Sequence, residues 1–271
     1  MKVSITASTP QTTRNAIRGI YTDQRGQLIF TDTPGYHLGG REINRRMQEI
    51  TVSSLDDSDA VLYLIDGKRE AKAEEDAIVE ILTKVRVPVV AVINKADILT
   101  DDEVKAAEDY VRSKLPKAVV LKASGLKDEG VDEILIELFK VAPYGDMLYP
   151  EESYTDQNLE FRISEIIREK TINLLSDELP HVIYVEVADI EYDEENSSVW
   201  VRAFIVTERE GQKGIIVGKG GENIKRIRKE SFKEIRRIFP GSKLNLDLRV
   251  KAQNKWRNNQ ATLERIFRQN T

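Results

Sequence analysis

Apolar runs at residues 28–30, 60–65, 88–93 and 118–121 each stop at a loop, and segments with helical spacing lie between them. The helical stretches are 42–55, 73–85, 101–115 and 131–141. In the first, Ile43, Met47, Ile50 and Leu55 recur at helical intervals; in the second, Ala77, Ile78, Ile81, Leu82 and Val85 share one face. Short, continuously apolar strands alternating with amphipathic helices specify an α/β fold with a mostly parallel, doubly wound sheet. Residues 17–22 and 27–31 alternate apolar and polar about a turn marked by Gly26, which predicts a hairpin. Residues 3–6 read as a strand or the end of a helix–strand link.

The rhythm changes after residues 143–155, a stretch rich in Tyr, Pro, Glu and Gly that reads as a linker. A helix at 159–175 is followed by strands at 182–192 and 199–207 joined through an acidic turn. Residues 211–221 then lead to a helix at 222–239, a strand at 244–250 and a final helix at 256–268. That order, α-β-β-α-β-α, describes a compact α+β unit. Two units agree with a length of 271 residues, since one domain takes about 100–200.

Charge divides the chain further. The formal net charge is −5, but residues 151–200 hold 3 basic and 14 acidic side chains, whereas 201–271 hold 18 basic and 7 acidic. A basic block on an acidic protein suggests a local surface for a polyanion, against the plainer reading of a solvated helical face. The absence of cysteine excludes disulfides and thiolate metal sites and suits a reducing cytoplasm. With only His37 and His181, both read as structural, a histidine metal cluster or triad is not expected. No apolar run approaches a membrane span and no signal-peptide core is seen at the N-terminus.

The loops at the strand ends carry the chemistry. The strand at 28–31 runs into Asp32-Thr33-Pro34-Gly35, which places a carboxylate at the carboxyl edge of the sheet, where open α/β folds bind ligands. Asp32 can hold Mg²⁺ through water, and the Gly35 N–H, with no Cβ in the way, can approach a terminal phosphate. Alone, D-x-x-G is a common turn. Asn94-Lys95-Ala96-Asp97 follows the next-but-one apolar run. The Asp97 carboxylate can accept from both N1–H and the exocyclic amine of guanine, a pair that adenine cannot offer. Asn94 would support the loop and the Lys95 stem would lie along the ring. Ser124-Gly125 stands where a backbone N–H would meet the guanine O6, and the hydroxyl of Thr12 or Thr13 would reach Mg²⁺.

In the second unit, Gly218-Lys219-Gly220-Gly221 opens a helix carrying Lys225, Arg226, Arg228 and Lys229. Glycines flanking two residues let a nucleic-acid backbone approach a helix N-terminus, as in the clamp of a KH domain. Ile215, Ile224 and Ile227 would floor the groove or fill the core. Lys251, Lys255 and Arg257 would extend the basic surface, with Trp256 either stacking on a base or covering the core.

Taken together, Gln11-Thr12-Thr13-Arg14, the Asp32–Gly35 loop, Asn94-Lys95-Ala96-Asp97, the Ser124-Gly125 loop, residues 161–170, 208–213 and 218–221 resemble the Era GTPases across essentially the whole chain. The resemblance implies a GTPase-type sheet at 1–145, a linker at 146–156 and a type II KH domain at 157–271. It implies GTP or GDP and Mg²⁺ as ligands, with Thr13 and Asp32 on the metal. It also implies a cytoplasmic, monomeric switch protein that binds the 3′ end of small-subunit rRNA, assists small-subunit maturation and contacts the inner membrane peripherally.

Members of that family begin with a strand, G-x-x-x-x-G-K-[S/T] and a helix, about 30 residues in all, ahead of the segment starting here at Lys2. No such motif occurs in the 271 residues; Gly214 to Gly220 is the nearest miss. The expectation is therefore an N-terminally incomplete sheet, a misassigned start, and weak GTP binding by this polypeptide. Tyr36 stands where many GTPases place a water-orienting Gln, and Gly125 where the family usually has Ala. The rival reading is a non-catalytic KH protein whose first unit no longer binds GTP; a membrane-surface adaptor is a more distant one.

Overall fold

The computed structural model describes residues 2–7, 12–36, 41–68, 73–175 and 182–268. The expected hairpin forms from β1 (Ile17–Asp23) and β2 (Gly26–Asp32), paired antiparallel. A parallel three-stranded sheet follows, from β3 (Val61–Asp66), β4 (Val89–Asn94) and β5 (Val119–Lys122), in that spatial order. Its register sets Asp66 opposite Asn94 and Ile93 opposite Lys122, so the strand ends converge on one edge.

Alternation along the strands sends their side chains to both faces. One face packs Val61, Tyr63, Ile65 and Ala91 against α2 (Ala73–Leu82) and α3 (Asp101–Lys114) through Val79, Leu82 and Val111. The other packs Val90, Val92 and Ala123 against Ile134 and Leu138 of α4 (Val131–Val141), with Leu28 and Phe30 of β2 alongside. This is the doubly wound arrangement that continuous apolar strands require. Its sheet is interrupted between β2 and β3, and Leu64 of β3 is 56% exposed.

The C-terminal unit holds α5 (Leu159–Leu174), β6 (Tyr184–Asp193), β7 (Ser198–Thr207), α6 (Glu210–Val217), α7 (Glu222–Ile235), β8 (Lys243–Ala252) and α8 (Gln260–Arg268). The strands lie in the order β6-β7-β8, the first pair antiparallel and the second parallel. Val199, Val201, Ala203 and Ile205 of β7 face Ile163 and Ile167 of α5 and Ile227 and Ile235 of α7 in the largest core.

Three local expectations are corrected. The 211–221 segment contains a helix, α6, hidden from the sequence pattern by Gly211 and Gly214, both poor helix formers; the order is α-β-β-α-α-β-α. The final helix starts at Gln260 rather than 256, after a 3₁₀ turn over Trp256–Asn258. Residues 3–6 form no strand: Ile5 is buried in the core of the C-terminal unit.

Candidate functional site

At the carboxyl end of β4, Asn94 turns its side chain inward. Its Oδ1 accepts from the Lys95 N–H at 2.8 Å and from the Gly125 N–H at 3.1 Å, joining the two loops expected to read a base. Lys95 sits at φ 66°, ψ 30°, a left-handed conformation that a non-glycine residue holds only when its surroundings enforce it. Enforcement comes from both sides: the Ala96 N–H donates to the Ala123 carbonyl at 3.0 Å, and Lys95 Nζ pairs with Asp66 Oδ2 at 2.8 Å. Asp97 follows, half-buried, in a 3₁₀ turn over Ala96–Ile98. Ser124 is buried and its N–H donates to the Glu129 carbonyl at 2.9 Å, whereas Gly125 is exposed. Sequence reasoning missed Asp66; the signal was an acid ending a buried strand in register with Asn94.

Asp32 ends β2, and Thr13 Oγ1 donates to its Oδ2 at 3.3 Å, so the two expected metal-side residues do meet. Desolvation pushes the Asp32 carboxyl above the usual carboxylate range, opposed by hydrogen bonds from Ser4 and Thr13. Its outer surface nonetheless remains open to solvent. An ionised carboxylate in that setting gains from a neighbouring cation, and an oxygen-only pair suits a hard one such as Mg²⁺, which keeps most of its waters. Thr33 is half-buried, Pro34 buried and Gly35 exposed. The Pro34 carbonyl accepts from Thr51 Oγ1 at 2.8 Å, which ties this loop to α1 (Glu42–Asp56).

Both of these metal-side segments rest on the C-terminal unit. Ile43 and Met47, the buried residues of α1, pack against Trp256, Leu263 and Ile266 rather than against the parallel sheet. Arg14 is buried; its Nη1 donates to the Ile183 carbonyl at 2.7 Å and its guanidinium lies 5.7 Å from the Trp256 ring centroid. Burial and the nearby Arg168 push the Arg14 pKa down, while Glu165 opposes them. Arg168 of α5, buried and paired with Glu165, also donates to the Thr12 carbonyl. Asn15 Nδ2 donates to the Ile266 carbonyl at 3.1 Å. Asn15 Oδ1 and Arg168 Nη1 are buried there without a partner among the described residues, a desolvation cost carried by the interface itself.

The glycine loop joins α6 to α7. Gly218 has φ 73°, and a Cβ there would lie 2.8 Å from Asn223 Cγ, so a side chain is excluded twice over. Asn223 in turn donates to the Ile215 carbonyl at 2.9 Å. Gly220, at φ 63°, faces open space, as a backbone approach requires. Gly221 caps α7, Lys219 is exposed, and Ile215 is 53% exposed beside the loop, whereas Ile227 is core. Lys225, Arg226 and Lys229 are exposed; Arg228 is anchored, its Nε donating to the Leu246 carbonyl at 2.8 Å.

The extended basic surface beyond this loop is corrected. Trp256 is 0% exposed and covers the core. Arg257 is largely buried and paired with Glu208, and Lys251 pairs with Glu186 at 3.0 Å, so of that group Lys255 alone is exposed. Gln11, His37 and His181 lie outside the described residues.

Comparison with known proteins agrees with this geometry. The family described as "50S ribosome-binding GTPase" matches residues 1–95, and the KH domain family matches residues 178–257. The chain is 44% identical to GTPase Era of Treponema denticola over 267 residues, covering 98% of this chain and 90% of that protein. It is 38% identical to GTPase Era of Borreliella burgdorferi, covering 98% and 91%. Among solved structures, Era in complex with MgGDPNP and nucleotides 1506–1542 of 16S ribosomal RNA superposes with a TM-score of 0.93 at 31% identity, over 100% of this chain and 91% of that one. Era of Aquifex aeolicus bound to GDP and AlF₄⁻ gives the same score and identity, over 100% and 92%. An α/β unit with converging loops at its strand ends, an α+β unit with an open glycine clamp, and relatives this similar along nearly their full length lead to one assignment: the chain belongs to the Era family of GTPases.

Proposed function

We propose that this protein is a GTP-governed RNA clamp that holds the 3′ end of small-subunit rRNA during maturation of the small ribosomal subunit. The observation that carries this reading is the docking of residues 12–15 and α1, which flank the candidate metal site, onto the unit that bears the glycine clamp. A ligand that rearranges those segments must rebuild the seat of the RNA-binding unit, which is what a switch needs. The Era–RNA complex supports the choice of RNA.

In this reading Asp97 accepts from guanine, the Gly125 N–H meets its O6, and Asn94 and Lys95 hold the loop. Asp32 and Thr13 hold Mg²⁺, with Thr33, Pro34 and Gly35 beside the terminal phosphate. When bound, Mg²⁺ would neutralise charge developing between the phosphates. Lys219 with Gly218, Gly220 and Gly221 grips the RNA backbone, and Lys225, Arg226, Arg228 and Lys229 add the surrounding positive field. Residues 1–145 and 157–271 are the two domains, separated by 146–156. With no G-x-x-x-x-G-K-[S/T] among its 271 residues, this polypeptide binds GTP weakly and turns it over slowly or not at all. The protein acts as a cytoplasmic monomer, with its basic residues 201–271 available to the inner membrane surface. No described helix is long and apolar enough to cross a membrane.

The test is a titration of this chain with a slowly hydrolysed fluorescent GTP analogue in Mg²⁺, alongside a single-stranded rRNA 3′-end oligonucleotide. RNA binding that is lost in Gly220→Asp, with weak nucleotide binding, is expected. RNA binding indifferent to Gly220→Asp would sink the clamp. Tight Mg²⁺-dependent GTP binding would overturn the expectation of a weak site.

A further inference from the structure

The glycine clamp accounts for one end of α7. The other end carries cationic and aromatic groups to which the reading above gives no role. On a helix, residues spaced by four, eight and eleven share a face. Lys225, Lys229, Lys233 and Arg236 have that spacing, with Arg226 and Arg237 along one border, and all six are exposed. The stripe starts at the clamp, where Lys225 Nζ donates to the Gly220 carbonyl at 3.4 Å. Lys233 pairs with Glu230 at 2.8 Å, whereas Arg236 and Arg237 form no salt bridge with the described residues.

At its far end, about 21 Å along a helix of 14 residues, the stripe reaches an open recess. Phe232, Arg236, Phe239, Ser242 and Lys243 line it. Lys243 is exposed and, like the two arginines, lacks a salt bridge among the described residues. Tyr192, 61% exposed, stands against Phe239 with ring centroids 6.2 Å apart. The acidic turn that follows Tyr192 is closed on itself, with the Asn196 N–H and side chain donating to Asp193. Exposed cations beside an exposed ring are the components that hold single-stranded nucleic acid, the charges on phosphates and the ring under a base.

We infer that Arg236, Arg237, Lys243 and Tyr192 form a second RNA subsite, which takes nucleotides of the same strand beyond those held by the glycine clamp. The inference rests on the RNA-binding reading above. Single-stranded RNA is favoured over a protein partner because exposed cations recur along α7 from the clamp to the recess, with Lys233 paired to Glu230 between them. The clamp itself spans about four nucleotides, so only a longer strand reaches the far end.

The experiment is fluorescence anisotropy on the full chain with a labelled 4-nucleotide RNA and a labelled 12-nucleotide RNA containing it. The variants are Arg236→Glu/Arg237→Glu/Lys243→Glu and, separately, Tyr192→Ala, all at exposed positions, with Lys117→Glu as a remote charge control and circular dichroism to confirm folding. The triple variant should bind the 12-mer at least about tenfold more weakly and flatten its salt slope by about 2, from three phosphate contacts at roughly 0.7 each. Tyr192→Ala should weaken the 12-mer by about tenfold, the loss of one stacked base. The 4-mer should be unaffected by either. Equal weakening of both RNAs, no change in either, or an equal effect from Lys117→Glu would overturn the subsite. So would an acidic peptide that binds through these residues while the 12-mer ignores them. Wild-type chain that binds neither RNA would instead overturn the RNA-binding reading, which separates the two failures.

Discussion

The loop at residues 94–97 and the segment at residues 12–15 both face the proposed nucleotide, yet they take their support from opposite parts of the chain. The first is held by its own unit, with Asn94 bonded to Lys95 and Gly125, Ala96 to Ala123, and Lys95 to Asp66. The second is held by the other unit, with Thr12 bonded to Arg168, Arg14 to Ile183, and Asn15 to Ile266. A base is the same in every state of a nucleotide, so its reader gains from being built in advance and rigid. The phosphates are what change, and their sensors gain from contacts whose loss is felt elsewhere. Buried atoms at Asn15 and Arg168 without partners among the described residues mark the second region as the less satisfied packing.

The comparison can be broken at four places. Trp256→Ala removes a fully buried ring shared by Arg14, α1 and α8, and should cost about 3–5 kcal/mol in urea unfolding followed by circular dichroism. A loss below 1 kcal/mol would show that the interface contributes little. Met47→Ala should cost about 2–3 kcal/mol. It should also shift RNA affinity, although Met47 lies on α1 and far along the chain from the glycine clamp; RNA affinity unchanged within twofold would uncouple the two units.

Asn94→Ala should cost about 0.5–1.5 kcal/mol by removing two hydrogen bonds whose exposed donors water can then meet. Its effect should be local, seen as faster hydrogen exchange at the Lys95 and Gly125 amides, with RNA affinity untouched. Faster exchange at residues 12–15 in that variant would erase the contrast. The smallest effect is expected from Asp66→Asn. Its pair with Lys95 is partly exposed and its loss is worth less than about 1 kcal/mol, so the change should be confined to the Lys95 side-chain resonances and to guanine affinity. A global destabilisation would show that Asp66 is a fold residue rather than a support of the loop.

Much of this was legible in the residues because it depends on local rules. Apolar runs broken by Asp32, Asn94 and Ser124 placed the loops at strand ends, and the hairpin and most helix limits follow from period and turn chemistry. The misses share a cause. α6 was hidden because Gly211 and Gly214 lower local helix propensity, and packing of Ile216 into the core overrides it. Arg257 looks like surface in a basic stretch, and Trp256 could be read either way, because burial is set by what folds over them.

By itself, then, the sequence determined the alternating sheet and helices, the order and chemistry of the loop motifs, the glycine clamp and the charge division, since each is written in neighbours or in fixed spacing. Only the tertiary structure decided where the amphipathic face of α1 would be buried, which cations would be neutralised by carboxylates distant in sequence, and that Asp66 would hold Lys95. Periodicity specifies that a face must be covered, not which surface covers it. Arg14 and Arg168 lie far apart along the chain, and no local pattern reveals that both are buried at one interface beside Trp256.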